Sequence, residues 1–357
     1  MTRGARLHHL TQAIMPGDAI SQSALAIHRS AQARGYDSQV YSRWIDPAMR
    51  GQASPLERCR PKKGDLLLYH FGLGSELTAF VCSKSGARLV LIYHNLTPPH
   101  YFKLEDPLLA QSLEAGQEQV VELQKHVDLA IADSAYSAQE LSGLGYSNLA
   151  VVPPVYLDNK YEIPPDKATL DKLSDQKTNL LFVSRIAPNK KQEDVIKAFY
   201  FYRRLNPDSR LCLVGPLGVT KVYYRWLLDL VDYLELPDVH FTGRVSQAEL
   251  NAYYRSADVF VSMSEHEGFG MFLVESMYFD LPIVAYESTA VPETLGDAGV
   301  LLKKKDFPIT AELIHLLATD EGLRHAVLEN QRQRLRHFAR ERVEAQFWEC
   351  LAPLLGE

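Results

Sequence analysis

The sequence has few cysteines, no long apolar run and no excess of basic residues, and each absence excludes a class of protein. Its four scattered cysteines predict neither a zinc knuckle nor a disulfide framework, so reduced thiols in a cytoplasmic protein are expected. No uninterrupted apolar run approaches the roughly 18–20 residues that span a bilayer. Polar residues close behind the basic N-terminus leave no signal-peptide core.

The charge balance argues against a general nucleic-acid binder, which usually carries a basic excess. The chain has 38 Lys and Arg against 44 Asp and Glu, a net charge of −6. The apolar fraction of 46% and the charged fraction of 23% are those of an ordinary globular protein. At 357 residues the chain exceeds one typical core, and two domains are expected.

Short apolar runs alternate with amphipathic stretches along most of the chain, and this predicts an α/β fold with parallel, doubly wound sheets. A Pro-rich stretch, 152–178, has no evident core face and is predicted to be a linker. Helices are predicted at Ala19–Ala33 and Leu108–His126, and the region from Ala311 to Leu355 is predicted to be helical. The predicted strands are Ala5–Leu10, Asp37–Tyr41, Asp65–His70, Arg88–Tyr93, Asp128–Ala132, Leu149–Val152, Asn179–Ser184, Arg210–Val214, Val239–Thr242, Asp258–Met263, Pro282–Ala285 and Val300–Leu302.

Two glutamates, Glu267 and Glu275, flank a predicted anion site. Glu267 follows the apolar run Asp258–Met263, Gly268 and Gly270 come next, and an apolar helix then carries Glu275. The first N–H groups of a helix have no internal partner and attract anions. Two carboxylates beside such a site suit a ligand that pairs phosphate with hydroxyl groups, such as a nucleotide sugar. The alternative interpretation is two surface carboxylates, one on a loop and one on a helix.

A basic loop follows the strand that begins the second half. Arg185 carries a planar fork suited to phosphate, and Lys190 is a mobile point charge. Together they would neutralise a diphosphate at the carboxyl end of the strand, where open α/β sheets bind ligands. The alternative is a basic helix start that faces water, although lysine there opposes the helix dipole.

Three segments of the first half also follow predicted strands. Gly17 precedes a helix and permits close backbone approach, while Asp18 is equally a simple helix N-cap. His94 stands at the end of the most apolar strand, where it either donates a hydrogen bond to a sugar hydroxyl or caps a turn. The segment Phe71–Leu77 has two of the three dinucleotide-fingerprint glycines, so a close-packed turn is favoured over a dehydrogenase site.

Together these motifs resemble the retaining glycosyltransferases of family 4, which adopt the GT-B fold of two Rossmann-like domains facing a cleft. The resemblance is carried by these segments: Glu267-Gly268-Phe269-Gly270 through Glu275, Ala257–Val261, Leu281–Ala285, Val291-Pro292-Glu293 and Gly296–Gly299. It implies an N-terminal, acceptor-side domain at 1–165 joined by the C-terminal helix at about 340–357. The donor-side domain would occupy 175–339.

The resemblance also implies a role for each motif residue. Glu275 would hold the donor ribose, Glu267 would face the transferred sugar, and His94 would contact its 6-hydroxyl. Arg185 and Lys190 would clamp the diphosphate together with the N–H groups at the helix start. The implied donor-binding residues are Gly17, Lys191, Gly243, Arg244, Val245, Gly268, Phe269, Gly270, Met271 and Glu275.

Two positions depart from the family pattern. The family commonly has Lys-Gly where this chain has Lys190-Lys191, so Lys191 would share or take the phosphate role. Phe272 replaces a frequent proline, which predicts a slightly different helix start.

The resemblance implies a metal-independent reaction with no cofactor, since the chain has no Asp-x-Asp motif. The leaving phosphate would take the acceptor proton, with attack on the same face of the sugar. Mannose transfer to a glycan or lipid-linked acceptor in bacterial polysaccharide synthesis is the favoured activity, at the cytoplasmic side of the membrane and without nucleic acid. The alternatives are a sugar-nucleotide epimerase and a non-catalytic GT-B partner subunit. The helix Ser21–Arg34 is either a peripheral membrane face or a solvated helix.

Overall fold

The computed structural model describes residues 3–84, 86–154, 159–218 and 221–356, which divide into two compact units. Unit 1 comprises Met1–His100, Leu108–Tyr156 and Arg340–Glu357. Unit 2 comprises Tyr101–Pro107 and Leu157–Ala339. Each unit is built on its own parallel sheet.

Unit 1 has a sheet of seven parallel strands in the order β3-β2-β1-β4-β5-β6-β7. The strands are β1 Arg3–Ile14, β2 Tyr36–Ile45, β3 Ser54–Pro55, β4 Leu66–Phe71, β5 Arg88–Tyr93, β6 Leu129–Ala132 and β7 Leu149–Val151. The helices are α1 Ala19–Ala33, α2 Leu77–Cys82, α3 Pro107–Leu123 and α4 Ala135–Gly143. All six strands predicted for this half are confirmed, and only the two-residue edge strand β3 was not predicted.

Unit 2 has a sheet of six parallel strands in the order β10-β9-β8-β11-β12-β13. The strands are β8 Thr178–Val183, β9 Ser209–Val214, β10 Val239–Gly243, β11 Val259–Ser262, β12 Ile283–Tyr286 and β13 Val300–Leu302. The helices are α5 Lys167–Leu173, α6 Gln192–Leu205, α7 Val222–Tyr233, α8 Gln247–Ser256, α9 Met271–Tyr278, α10 Val291–Leu295, α11 Phe307–Thr319 and α12 Glu321–Leu335. The predicted doubly wound α/β architecture is therefore confirmed in both units.

The last helix, α13 (Arg340–Leu355), packs into the core of unit 1. Val343, Phe347 and Trp348 are buried there. The Trp348 ring stacks on Tyr36 at 5.3 Å, and its indole N–H donates to the Ser30 hydroxyl at 3.0 Å. The apolar face of α13 thus covers sheet and helix surface made by residues more than 300 positions earlier.

The Pro-rich stretch differs from the predicted linker. Its residues 155–158 lie outside the described part, but the segment from 159 onward belongs to unit 2. Tyr161 is fully buried, with its ring 5.0 Å from Tyr278, and Asp166 caps helix α5. The interpretation that this segment has no core face is wrong, because one aromatic ring anchors it in spite of its polar neighbours.

Helix α1 buries one face in unit 1 while Arg29 and Arg34 are exposed, and its membrane contact stays a prediction. Leu25, Ile27 and Ala31 lie in the core of unit 1, and His28 bonds the Ser38 hydroxyl at 2.9 Å. Asp18 is the N-cap and accepts the Ser21 N–H at 2.8 Å. Burial against the sheet explains the small apolar body of this helix.

The predicted close-packed turn after β4 is confirmed. A side chain at Gly74 would meet the backbone nitrogen of Gly116 at 2.4 Å, and the Gly74 N–H donates to the Ser112 carbonyl at 3.1 Å. These glycines let the turn after β4 touch helix α3 directly.

A buried carboxylate, Asp65, lies directly before β4. It accepts the Lys62 N–H at 2.7 Å, the Arg6 guanidinium at 2.7 Å and His8 Nε2 at 3.1 Å. Burial opposes its ionisation, but the three donors outweigh burial and hold the pKa of Asp65 at about 2.

All four cysteines are free thiols. Among the described residues, no helix has the length and apolar character needed to cross a membrane.

Candidate active site

The carboxyl ends of the unit 2 strands carry the predicted donor-side residues. Glu267 lies in the loop after β11, and Lys190 ends a short 3-10 turn after β8. The Lys190 Nζ is 2.7 Å from both carboxylate oxygens of Glu267. Glu267 is only 6% exposed, so this is a nearly buried ion pair. Two residues 77 positions apart are thus brought together where a parallel sheet binds ligands.

The loop that carries Glu267 is fixed by hydrogen bonds to neighbouring loops. The Glu267 N–H donates to the Thr289 hydroxyl at 2.8 Å, and that hydroxyl donates to the Glu267 carbonyl at 2.8 Å. The Asn189 amide donates to the His266 carbonyl at 3.2 Å, which ties the loop to the turn that carries Lys190. The glutamate is therefore held by its backbone as well as by its cation.

Lys191 faces different partners from Lys190. Its Nζ lies 3.4 Å from Glu193 and 3.4 Å from Glu265. Burial lowers the pKa of Lys191, but the two carboxylates outweigh burial and raise it above its usual value. Its φ of 53° lies in the left-handed region that favours glycine, which matches the family preference at this position. In this structure Lys191 is an anchor of its loop, and its predicted phosphate role stays a prediction.

Glu265 joins the same network from the other side. Lys305 Nζ bridges Glu265 and Asp194, at 2.8 Å to each carboxylate. Burial raises the pKa of Glu265, yet Lys305 and Lys191 outweigh it and lower the pKa below its usual value. These charges connect the loop after β11 with helix α6.

Glu275, on helix α9, accepts two tyrosine hydroxyls. Tyr161 donates to one oxygen at 2.9 Å, and Tyr254 donates to the other at 2.8 Å. Lys160 Nζ is 3.6 Å away. Burial and the adjacent carboxylate raise the pKa of Tyr254 well above its usual value, so this hydroxyl remains a proton donor. The structure shows the Glu275 carboxylate oriented by two tyrosine hydroxyls, and its predicted binding of ribose hydroxyls stays a prediction.

Helix α9 begins without a capping side chain. Its N-cap is Gly270, with φ 90° and ψ 58°, and no side chain accepts from the first turn. The initial N–H groups of such a helix are anion-binding positions. Phe269 packs edge-on against Phe338 at 5.7 Å, while Phe272 packs against Phe182 and Phe260. The aromatic ring in place of the family proline is therefore a core contact.

The remaining donor-side predictions lie on neighbouring strand ends. Arg185 is exposed two residues after β8, with its guanidinium 5.8 Å from the centre of the Phe102 ring. Gly243 ends β10, has φ 70°, and accepts the Gly215 N–H at 3.2 Å. Arg244 is exposed and Val245 half-buried beside it. The structure places these residues at the carboxyl ends of the unit 2 strands, and their donor-binding roles stay predictions.

In unit 1, His94 lies one residue past β5 and is almost fully buried. Its Nδ1 is 2.9 Å from Asp133, and its Nε2 is 3.1 Å from His70 Nδ1. Since both ring nitrogens have protein partners, a bond to the 6-hydroxyl of a sugar requires one partner to be exchanged.

Gly17 is exposed at a turn with φ 69°, where a side chain would meet open space. Its positive φ explains the glycine, and its phosphate role stays a prediction.

Sequence reasoning missed several partners of the candidate residues. Asp133 directly follows a buried strand, as His94 does, and this position at a strand end was the signal that could have found it. Tyr161 lies in a stretch with no periodic pattern, so no signal in the sequence pointed to it. Among the residues that the structure describes, no group of three or more His, Cys, Asp or Glu side chains is arranged to hold a metal ion.

Comparison with solved structures identifies the fold. The solved structure of Anabaena HepE in complex with UDP and glucose superimposes with a TM-score of 0.78, at 18% identity, over 98% of this chain and 100% of that one. The chain therefore has the GT-B fold of glycosyltransferases, as predicted.

Sequence comparison agrees with the fold. Residues 168–334, slightly less than half of the chain, match the family model of the glycosyl transferases group 1. The capsular polysaccharide biosynthesis glycosyltransferase CapM of Staphylococcus aureus is 29% identical over 43% of this chain and 40% of its own length. The D-inositol 3-phosphate glycosyltransferase of Streptosporangium roseum is 28% identical over 69% of this chain. The matched part spans 59% of that relative, less than two thirds of its length.

Proposed function

We propose that this protein is a retaining glycosyltransferase that moves a hexose, mannose in the first instance, from a nucleoside diphosphate sugar to a glycan or lipid-linked acceptor. The observation that carries the proposal is the buried Lys190–Glu267 pair beside the uncapped start of helix α9. In this pair, Lys190 supplies a cation that would bind phosphate, and Glu267 supplies a carboxylate that would accept hydrogen bonds from sugar hydroxyls. The match of residues 168–334 to the family model of the glycosyl transferases group 1 supports it.

The chemistry of Lys190 follows from its hydrogen-bonding capacity. An ammonium has three N–H donors, and the two oxygens of Glu267 take two of them. The third is left for a phosphate oxygen of the leaving diphosphate, while the carboxylate keeps lone pairs for a sugar hydroxyl. Glu267 would thus orient the Lys190 ammonium towards the leaving diphosphate and would hold the sugar next to that ammonium.

The bond changes then need no protein nucleophile. The bond between the sugar C1 and the diphosphate oxygen breaks, and the acceptor oxygen bonds to C1 on the same face. The acceptor proton moves to the departing phosphate oxygen. Negative charge on the leaving group is stabilised by Lys190, Arg185 and the first N–H groups of α9, so the proposed reaction is independent of metal.

Glu275 would bind the ribose of the donor. Its two tyrosine partners hold the carboxylate in place before the ligand arrives, and each oxygen retains acceptor capacity. Preorganisation of this kind lowers the cost of ordering a side chain on binding.

A panel of GDP-mannose, UDP-glucose, UDP-N-acetylglucosamine and ADP-glucose tests the proposal. We expect one of these donors to raise the melting temperature and to release nucleoside diphosphate slowly without acceptor, with turnover unchanged by EDTA. Glu275→Ala should lose donor binding, and Glu267→Ala should bind donor but lose turnover. Wild-type turnover in both variants would refute the assignment of the site.

The same panel separates the alternatives. An isomerised nucleotide sugar that forms without acceptor would indicate an epimerase, and no stabilisation by any donor would indicate a non-catalytic subunit. The name of CapM points to capsular polysaccharide as the kind of acceptor to test first.

We also propose peripheral contact with the cytoplasmic face of the membrane during transfer to a lipid-linked acceptor. Flotation with neutral and anionic vesicles tests that contact.

A further inference from the structure

Three histidines and one carboxylate form a continuous row across the sheet of unit 1. The row takes one residue from each of four adjacent strands or the position just after it: His9 of β1, His70 of β4, His94 after β5 and Asp133 after β6. Each neighbour in the row is joined to the next by a hydrogen bond. We propose that His70 and His9 are positioning residues that hold the orientation of the His94 ring, within a row whose hydrogen-bond polarity is set by Asp133.

The strand register explains why these four side chains meet. His9 pairs with Leu68, and His70 lies two residues further along β4. His70 pairs with Ile92, and His94 lies two residues beyond it. A step of two residues keeps side chains on one face of a sheet, and each step moves the row towards the carboxyl ends of the strands. The row therefore runs from the interior of the sheet to its ligand-binding edge.

The hydrogen bonds along the row are short and are shielded from water. His94 Nδ1 lies 2.9 Å from Asp133, His70 Nδ1 lies 3.1 Å from His94 Nε2, and His9 Nδ1 lies 3.2 Å from His70 Nε2. Neighbouring rings are stacked, with centroids 5.4 Å apart for His70 and His94 and 5.5 Å apart for His9 and His70. His9 is fully buried and His70 is 3% exposed, so water does not compete for these bonds.

The carboxylate of Asp133 sets the direction of every bond. An ionised carboxylate only accepts, so His94 carries its hydrogen on Nδ1 and, when neutral, accepts at Nε2. His70 must then donate from Nδ1 and accept at Nε2, and His9 must donate from Nδ1. The row ends at His9 Nε2, which in this arrangement is a lone pair. That atom is buried without a hydrogen-bond partner among the described residues.

The opposite polarity would place hydrogen on Nε2 of both buried rings, and His94 Nε2 would then donate to His70. Burial lowers the pKa of His9 to about 3 and holds the pKa of His70 well below its usual value, so neither ring takes the charge itself. Two other titratable groups influence His9. The His28 ring faces it, with the two ring centroids 6.1 Å apart, and His8 is its chain neighbour on the opposite face of β1.

The activity arm of the test rests on the proposed function, whereas the tautomer arm does not. In the first arm, the ligand-free full-length protein labelled with 15N-histidine is studied by long-range 1H–15N spectroscopy near neutral pH. We expect His9 and His70 to be neutral rings with hydrogen on Nδ1. Hydrogen on Nε2 of both rings, with a neutral His94, would overturn the proposal.

The second arm compares His70→Leu with His70→Asn. Leucine removes the donor to His94, and we expect kcat for the donor that the panel identifies to fall about tenfold or more, the factor that one hydrogen bond represents. KM should change little. The asparagine amide can replace the Nδ1–H, so kcat should return to within about threefold of wild type, well inside the effect of a lost hydrogen bond.

His8→Asn is the matched control, since His8 is the adjacent buried histidine and bonds Asp65 on the other face of β1. It should leave kcat and the His94 resonances unchanged. A folded His70→Leu protein with wild-type kcat would overturn the positioning role. If His70→Leu does not fold, the positioning role is judged from the tautomers of the wild-type protein and from kcat of the His70→Asn variant. If the wild-type protein turns over no donor, the proposed function fails, but the tautomers of His9 and His70 still test the arrangement of the row.

Discussion

Replacing Lys190 with methionine should destabilise unit 2 because it leaves the Glu267 carboxylate buried without its cation. Both oxygens of Glu267 lie 2.7 Å from the ammonium, and the residue is 6% exposed. Removal of one member of a buried ion pair costs about 3–5 kcal/mol. The Lys190 side chain is itself 19% exposed, which admits some water, so we expect the lower end, about 3 kcal/mol.

The assay is thermal and urea-induced unfolding of the full chain. Since the two units can unfold separately, the shift is followed in the transition that a bound nucleotide sugar stabilises. A loss of about 3 kcal/mol corresponds to about 6–12 °C in melting temperature for a domain of this size. The double variant Lys190→Met with Glu267→Gln removes the uncompensated charge as well, and it should regain most of the lost stability.

Lys197→Met is the matched control. Lys197 pairs with Asp194 at 2.9 Å, but its side chain is 39% exposed and Asp194 retains Lys305. Its loss should cost less than about 1 kcal/mol. The reasoning would be refuted if Lys190→Met were no more destabilising than Lys197→Met, or if the double variant were less stable than the single one.

Three further predictions concern other parts of the molecule. Tyr161→Phe and Tyr254→Phe each remove one hydroxyl from Glu275, and the calorimetric Kd for the donor should rise about tenfold, the loss of one hydrogen bond to a charged group. Trp348→Ala should cost unit 1 about 3–5 kcal/mol in urea unfolding, because it leaves a cavity in the core. Asp65 has a lowered pKa of about 2, so its contribution of about 2 kcal/mol should be present above pH ~4 and be lost as the pH falls towards ~2.

Each of these has a result that contradicts it. Unchanged donor affinity in both tyrosine variants would mean that Glu275 does not bind donor or needs no orientation. Equal loss of stability in Trp348→Phe and Trp348→Ala would show that the Ser30 hydrogen bond, and not ring volume, carries the effect. An Asp65→Asn protein that loses stability in acid in parallel with the wild type would remove Asp65 from the acid response.

The architecture was predictable because local patterns determine it. Runs such as Leu89–Ile92 are buried on both faces, and helices with period-3.6 patterns separate them, which is sufficient to predict two parallel sheets. The carboxyl-end edges of the sheets were predictable for the same reason, since polar residues directly after buried strands mark these ends. Glu267, Lys190 and His94 were all found in this way.

The pairing of the strand-end side chains with one another was not predictable. Lys190 and Lys191 are adjacent lysines in the sequence, and only the left-handed backbone at Lys191 sends one to Glu267 and the other to Glu193 and Glu265. The Tyr161 ring was mistaken for part of a linker, because a single buried aromatic leaves no periodic signal.

The sequence alone therefore determined the two-sheet fold and the positions of the strand-end residues, because periodicity and glycine turns are local properties. The tertiary structure decided which of those residues pair. The pairing of Lys190 with Glu267, the tyrosines on Glu275 and the row from His9 to Asp133 depend on strand order and register. Strand order and register bring together residues that are distant in the chain, and no local pattern records them.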